Sequence, residues 1–229
     1  MTGTQVRDLE EGLKAAGYAL FRKEETESTN DWAIGECVKG LKPPALFTAE
    51  IQTKGKGRLG RVWESGKGTS LTFSILIDPG CDISLSPGYT EVFGLSVCLA
   101  IRQICGCPAL IKWPNDIVIS GRKVCGILTE AVPGPDRIVI GAGINLRKGS
   151  YPEDLKYKAI SLEEACEDVP DAAGLICGIM IRFEELKKIF LQTESMAGLK
   201  NVYDKLLVNT GRLTTVTENG GSVSGKARG

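Results

Sequence analysis

The chain contains no histidine. That absence excludes histidine triads, histidine general bases and His-ligated metals, so any chemistry must run on Lys, Arg, Asp, backbone groups and hydroxyls. Long apolar runs are also missing. No stretch is long enough to span a bilayer, and residues 1–20 carry no cationic start followed by an apolar segment. A cytoplasmic protein without membrane contact is the expectation. Neither sign of charge is in excess: Lys+Arg and Asp+Glu both number 28. No global field therefore recruits nucleic acid, and a cationic site has to be local. The eight cysteines lie at 37, 81, 98, 105, 107, 125, 166 and 177. Only Cys105 and Cys107 are close, and no second pair completes a zinc quartet. Most of the others sit in apolar periodic segments, where cysteine acts as a small hydrophobe. Neither a metal site nor a redox role is expected.

What the chain does have is concentrated in Gln52–Trp63. These twelve residues hold three glycines, the cations Lys54, Lys56, Arg58 and Arg61, one tryptophan and no acid. Glycines let a backbone approach a ligand closely and turn its N–H groups toward an anion, and arginines grip phosphate in bidentate fashion. Gly55, Gly57 and Gly60 match G-x-G-x-x-G, but a dinucleotide loop must open a helix. Here Ala45–Ile51 reads as a strand before the loop, and the alternating Thr69–Ile77 reads as a strand after it. A strand-to-strand loop is neither a Rossmann turn nor a P-loop.

The remaining elements follow from periodicity. Residues 4–16 read as a helix that stops at Gly17, and Tyr18–Lys23 as a strand. Ser28 or Thr29 caps a helix reaching about Val38, with hydroxyls able to face a ligand as well. Fewer than thirty residues precede Ser28, too few for a separate winged helix. Tyr89–Ile104 is an apolar helix. Within 109–132, two strands meet at Ser120-Gly121 as a hairpin. Lys112, Asn115, Asp116 and Lys123 are polar groups set into its core-like strands, which suggests a polar site. Pro133–Asp136 is a turn, and Arg137–Leu146 is a further strand. Its Gly141 and Gly143 are costly unless something must pass close to the backbone. Residues 171–191 form an amphipathic packing helix, 201–207 a short one, and two short strands near 213–217 and 222–227 join at Asn219-Gly220.

Five segments together resemble the biotin–protein ligases (biotin–[acetyl-CoA-carboxylase] ligases): Glu27–Asn30, Gly55–Trp63, Lys112–Asp116, Arg122–Leu128 and Gly141–Asn145. Each motif alone is weak, and five in the family's order and spacing are specific. The resemblance implies an α+β fold like the catalytic domain of class II aminoacyl-tRNA synthetases, a mixed sheet backed by helices. It places a catalytic domain at 1–207 and an incomplete SH3-like β unit, cut short, at 208–229. It also implies the monofunctional type, without a DNA-binding module. Two departures stand out. Lys56 and Leu59 occupy loop positions where many relatives carry arginine.

The implied reaction joins biotin and MgATP into biotinyl-5′-AMP, then passes biotin to a lysine of biotin carboxyl carrier protein. The resemblance gives catalytic roles to Lys123, Arg58 and Asp116, the last for deprotonating the acceptor lysine. Ser28, Thr29, Asn30, Gln52, Lys56, Gly126, Leu128, Gly141 and Gly143 would bind biotin, the glycines and Leu128 walling its valeryl chain. Arg58, Arg61, Trp63, Lys112, Asn115, Lys123 and Asn145 would meet the nucleotide, Trp63 beside the adenine. The basic loop is expected to be a flap that ligand orders. No resident metal beyond the Mg2+ that accompanies ATP, no nucleic-acid partner and no membrane partner are implied, and a homodimer is compatible. Two other readings stay open at this point: a lipoate–protein ligase, and a biotin-binding regulator without ligase turnover.

Overall fold

The longer helices and strands fall where hydrophobic periodicity places them. The computed structural model describes residues 1–134, 136–167, 169–218 and 221–228. In chain order the elements are α1 (Gly3–Ala15), β1 (Ala19–Thr26), α2 (Thr29–Val38), β2 (Ala45–Gln52), β3 (Ser70–Ile77), α3 (Ser86–Cys105), β4 (Leu110–Lys112), β5 (Asp116–Ile119), β6 (Arg122–Ala131), β7 (Ile138–Asn145), α4 (Leu162–Ala165), α5 (Ala172–Thr193), α6 (Lys200–Leu206), β8 (Leu213–Glu218) and β9 (Gly221–Lys226). Gly17 ends α1 with φ +81°, and the N–H groups of Gly17 and Tyr18 return to Lys14 and Leu13. The expected join at Asn219-Gly220 lies outside the described residues, as does Pro135 of the expected 133–136 turn.

Seven strands form one sheet in the order β1-β2-β3-β7-β6-β5-β4. Only β1 and β2 run parallel; the other pairs are antiparallel. Side chains alternate between the faces of a strand, and here the two faces are filled by different chemistry. Leu71, Phe73, Ile75 and Ile77 of β3 join Ile138, Ile140, Ala142 and Ile144 of β7 in the main core, where α3 and α5 supply Phe93, Ile101, Ile179 and Phe183. The opposite face is covered by α2, and only part of it is apolar: Ala33 and Cys37 pack on Phe47, Leu76 and Val139. Beyond the N-terminal end of α2, the same face presents Ser74 and Thr72 of β3, Gly141 and Gly143 of β7, and Gly126, Leu128 and Glu130 of β6. The register sets Ser74 beside Gly141, Leu128 beside Gly141, and Gly126 beside Gly143.

Two points differ from the sequence reading. The 109–132 region holds three strands, because the chain reverses at Trp113-Pro114 and brings Leu110–Lys112 back against β5. The turn at Ser120-Gly121 is as expected, with φ of 50° and 77°. Cys107 and Cys166 are joined as a disulfide across 59 residues, whereas the sequence marked only Cys105 and Cys107 as neighbours. Among the described residues the β8–β9 hairpin pairs with no strand of the main sheet. It is held beside the body by Val208 N–H to Ile111 O at 2.9 Å and Trp113 N–H to Asn209 Oδ1 at 3.1 Å.

Candidate active site

Gly126, Leu128, Gly141 and Gly143 of the α2 face floor a cleft of about 140 Å³ roofed by the basic glycine loop. The loop closes as a small hairpin. Gly57 N–H donates to Arg61 O at 2.7 Å and Trp63 N–H to Gly55 O at 2.9 Å. Its tip turns through Leu59 and Gly60 at φ 56° and 71°. Leu59 is a branched residue in the left-handed region, a placement that costs about 1 kcal/mol or more, and it is 85% exposed.

The loop's four cations separate into two pairs. Lys54 lies 2.7 Å from Glu27 Oε1, while Lys56 pairs with Asp31 and stands 3.6 Å from Glu130 Oε1. The hydrogen bond to Asp31 holds the Lys56 ammonium above the usual lysine range, with Glu130 adding to the effect. Arg58 and Arg61 border the cleft and enter no ion pair among the described residues. The positive charge left for an incoming anion is therefore arginine, at the flap's tip.

At one end of the cleft, the start of α2 supplies a buried polar head. Ser28 caps the helix by accepting the Asp31 N–H at 3.4 Å. The Thr29 backbone N–H donates to Gln52 Oε1 at 2.7 Å, and Thr29 Oγ1 lies 3.0 Å from the same oxygen. Asn30 Nδ2 donates to Leu128 O at 3.2 Å and Glu130 Oε2 at 2.7 Å. Behind them the fully buried Ser74 hydroxyl lies 2.7 Å from Thr29 Oγ1 and 2.6 Å from Asn30 Oδ1. Gly141 is glycine for a steric reason: a Cβ there would overlap the Asn30 amide.

The other end carries the charged pair. Lys123 Nζ lies 2.7 Å from Asp116 Oδ1, the side chains being 35% and 23% exposed. Backbone bonds clamp Lys123 on both sides: its N–H donates to Lys158 O at 2.7 Å, and Ile160 N–H donates to its carbonyl at 2.9 Å. Asn115 is stitched to β6 through Nδ2 to Ile127 O at 2.9 Å and lines the same wall. Trp63 hangs from the flap between the two ends. Its indole fills the space a Cβ on Gly143 would need, and Lys123 Nζ stands 5.4 Å from the ring centroid. The indole N–H is buried and finds no acceptor among the described residues, a state that costs about 1–3 kcal/mol.

The sequence-predicted residues thus converge on one cleft, with two exceptions. Lys112 is exposed on β4, outside the cleft. Asn145 is buried and turned inward, donating to Lys123 O at 3.3 Å and Ile160 O at 3.2 Å. It fixes the strand that carries Lys123 and does not line the cleft. The glycine wall lines the cleft as well, and Asn30 and Trp63 make close approaches to Gly141 and Gly143. Sequence reasoning missed Ser74, Glu130 and Asp31. Ser74 had a signal, since it is a hydroxyl in phase with Thr72 in an otherwise apolar alternating strand.

A flap with unpaired arginines, a lysine–aspartate pair and a head of hydroxyls and amides define an acid-activating site: charge to neutralise anions, and a neutral polar end for recognition. The comparisons agree. Residues 23–145 match the model of the Biotin/lipoate A/B protein ligase family, and the chain belongs to that family. It is 33% identical over 225 residues to the bifunctional ligase/repressor BirA of Bacillus subtilis, covering 95% of this chain and 69% of that one. It is 34% identical over 126 residues to the biotin–[acetyl-CoA-carboxylase] ligase of Paracoccus denitrificans, covering 53% of this chain and 52% of that one. The solved biotin protein ligase from Aquifex aeolicus in complex with biotin and ATP superimposes with a TM-score of 0.78 at 30% identity, covering 91% of this chain and 86% of that one. The fold is accordingly the class II aminoacyl-tRNA synthetase-like α+β arrangement.

Proposed function

We propose that this chain is an ATP-dependent biotin–protein ligase that forms biotinyl-5′-AMP and transfers biotin to a lysine of a carboxyl carrier protein. The observation that carries the reading is one cleft holding the polar head at one end and the Lys123–Asp116 pair at the other, with Arg58 on its border. Biotin offers a neutral cyclic urea, an apolar tail and a carboxylate, in that order, and the cleft offers their complements in the same order.

In the first step a carboxylate oxygen of biotin bonds to the α-phosphorus of ATP and the bond to pyrophosphate breaks. Two anions must meet, so the protein's work is neutralisation and alignment. Lys123, on a strand clamped by residues 158–160, reaches the carboxylate and α-phosphate. Before they arrive Asp116 neutralises it, and their arrival releases Asp116. In the second step the acceptor amine bonds to the acyl carbon and AMP leaves. The amine must be uncharged, and the freed Asp116 carboxylate takes its proton. Arg58 and Arg61 hold the adenylate beneath the flap. Mg2+ comes with ATP, on its phosphates; among the described residues no group of three or more Cys, Asp or Glu could hold a metal ion.

Admitting these ligands requires the flap to move. The cleft of about 140 Å³ is smaller than the roughly 300 Å³ at which ligand pockets begin, and the Trp63 indole occupies the wall over Gly143. Withdrawing Trp63 opens that wall and frees its unpaired N–H. We also read residues 1–207 as the catalytic domain and 208–229 as part of an SH3-like unit, which the separate pairing of β8 with β9 supports.

The polar head favours biotin over lipoate. A dithiolane has no hydrogen-bond donors, and seating it there would leave the Thr29 and Gln52 acceptors unanswered, at about 1–3 kcal/mol each. The test incubates the chain with MgATP, labelled biotin or lipoate, and an apo-carrier domain. Label reaching the carrier from biotin alone is the expected result. Biotin binding with no adenylate formed would sink the enzyme reading.

A further inference from the structure

Four oxygens run in a line through the polar head: Asn30 Oδ1, Ser74 Oγ, Thr29 Oγ1 and Gln52 Oε1, separated by 2.6, 2.7 and 3.0 Å. The two amide oxygens carry no hydrogen and each hydroxyl carries one, so two hydrogens serve three contacts. Neither amide can be turned round to supply a third. Asn30 Nδ2 already faces two acceptors, Leu128 O and Glu130 Oε2, and reversing it would set oxygen against both. Gln52 Oε1 accepts the Thr29 backbone N–H at 2.7 Å, and reversing it would set N–H against N–H. One contact is therefore oxygen against oxygen.

The deficit costs least at the longest contact, Thr29 to Gln52, where the two lone pairs sit farthest apart. That assignment runs the hydrogens inward, from Thr29 to Ser74 and from Ser74 to Asn30. It leaves Thr29 Oγ1 and Gln52 Oε1 side by side on the cleft with lone pairs and nothing between them. A single N–H donor would answer both.

We infer that Ser74 is a positioning residue for substrate specificity: it draws the Thr29 hydroxyl hydrogen into the protein, so that Thr29 and Gln52 meet the cleft as a paired acceptor for one ring N–H of biotin's cyclic urea. This rests on the ligase reading. Ser74 itself touches no ligand; it is fully buried and does not line the cleft. Glu130 supports it at one remove, because the carboxylate fixes which way the Asn30 amide faces. Without Ser74 the Thr29 hydrogen turns to Gln52 and occupies one of the two acceptor sites.

The test titrates the intact chain and its S74A variant with biotin and with the two cyclic carbamates in which one or the other ring N–H is replaced by oxygen. In the wild type, one carbamate should bind about fiftyfold more weakly than biotin, an N–H acceptor being left unanswered. In S74A, biotin should weaken by about tenfold while that carbamate changes by less than about twofold, so the ratio collapses. The near-constant carbamate serves as the control for folding. An unchanged ratio in S74A, whether or not both affinities fall, overturns the inference, as does a wild type that binds biotin and both carbamates alike. A wild type that binds no biotin removes the ligase reading itself, a different and separable failure. Should S74A not fold, Ser74→Cys keeps a side-chain hydrogen on a poorer acceptor, and a smaller collapse of the same ratio is expected.

Discussion

Ile140 and Gly141 are neighbours in β7 and belong to different economies of the same sheet. Ile140 points into the main core with Ile75, Phe93 and Ile101, among buried apolar side chains. Gly141 points to the α2 face, where the next residues across the sheet are Ser74 and Leu128. The first face stabilises the fold by removing hydrocarbon from water. The second spends stability: it buries hydroxyls and amides and places glycines inside strands, each a cost with no packing return. Where α2 covers it, the second face reverts to the apolar pattern, with Leu76 and Val139 against Ala33 and Cys37. The polar stretch is thus confined to the cleft, which is how a site can be carried without loosening the core.

The comparison breaks most visibly at Lys123. Lys123→Ala should leave the melting temperature near wild type and raise the adenylation barrier by about 3 kcal/mol or more, roughly a hundredfold in pyrophosphate release. Stopped-flow pyrophosphate detection beside a thermal melt checks both halves. A loss of stability without a loss of rate would place Lys123 with the structural residues. Next comes the neighbouring pair. Ile140→Ala should cost about 2–5 kcal/mol of stability from its buried methyls and cavity, with biotin affinity of the folded fraction little changed. Gly141→Ala should do the reverse. Its methyl overlaps the Asn30 amide, displacing the polar head and weakening biotin by about tenfold or more, if one buried hydrogen bond is lost. Denaturant titration and ligand titration on the two variants give four values, and the crossed pattern is the expected one.

Much of this division was legible in the sequence, and the exceptions have physical causes. Alternation in 69–77 and the strand after Arg137 marked the sheet, and the loop between strands marked the flap. The motif residues then met in one cleft, Lys112 and Asn145 excepted. β4 was not legible because three residues carry too little periodicity and Trp113-Pro114 reads as a break. Asn145 belongs to a motif, but no pattern says that its amide turns inward to hold the Lys123 strand. The glycines of β7 announced a close approach, and side chains from α2 and the flap, Asn30 and Trp63, lie against them. Cys107 and Cys166 meet only because the chain returns from α4 to the end of α3, a long-range event invisible to local spacing.

The smallest expected effect concerns where the dry face ends. Glu91 lies on α3, the core-face helix, near its start, and accepts the Trp113 indole N–H at 3.2 Å. Burial pushes its carboxyl above the usual glutamate range, and the Trp113 hydrogen bond offsets this only in part. A folded-state pKa raised above the unfolded value contributes stability that is fully present below the unfolded pKa, near 4.5, and is lost as pH rises through the folded one. Glu91→Gln keeps an oxygen for the indole and never ionises. The variant and the wild type should therefore melt together at low pH, and the variant should gain as pH climbs from about 4 toward neutrality. Melting curves across that range check it. A gap that stays constant with pH would mean that Glu91 is solvated when ionised, and that the dry face stops before the first turn of α3 rather than at the Trp113 edge.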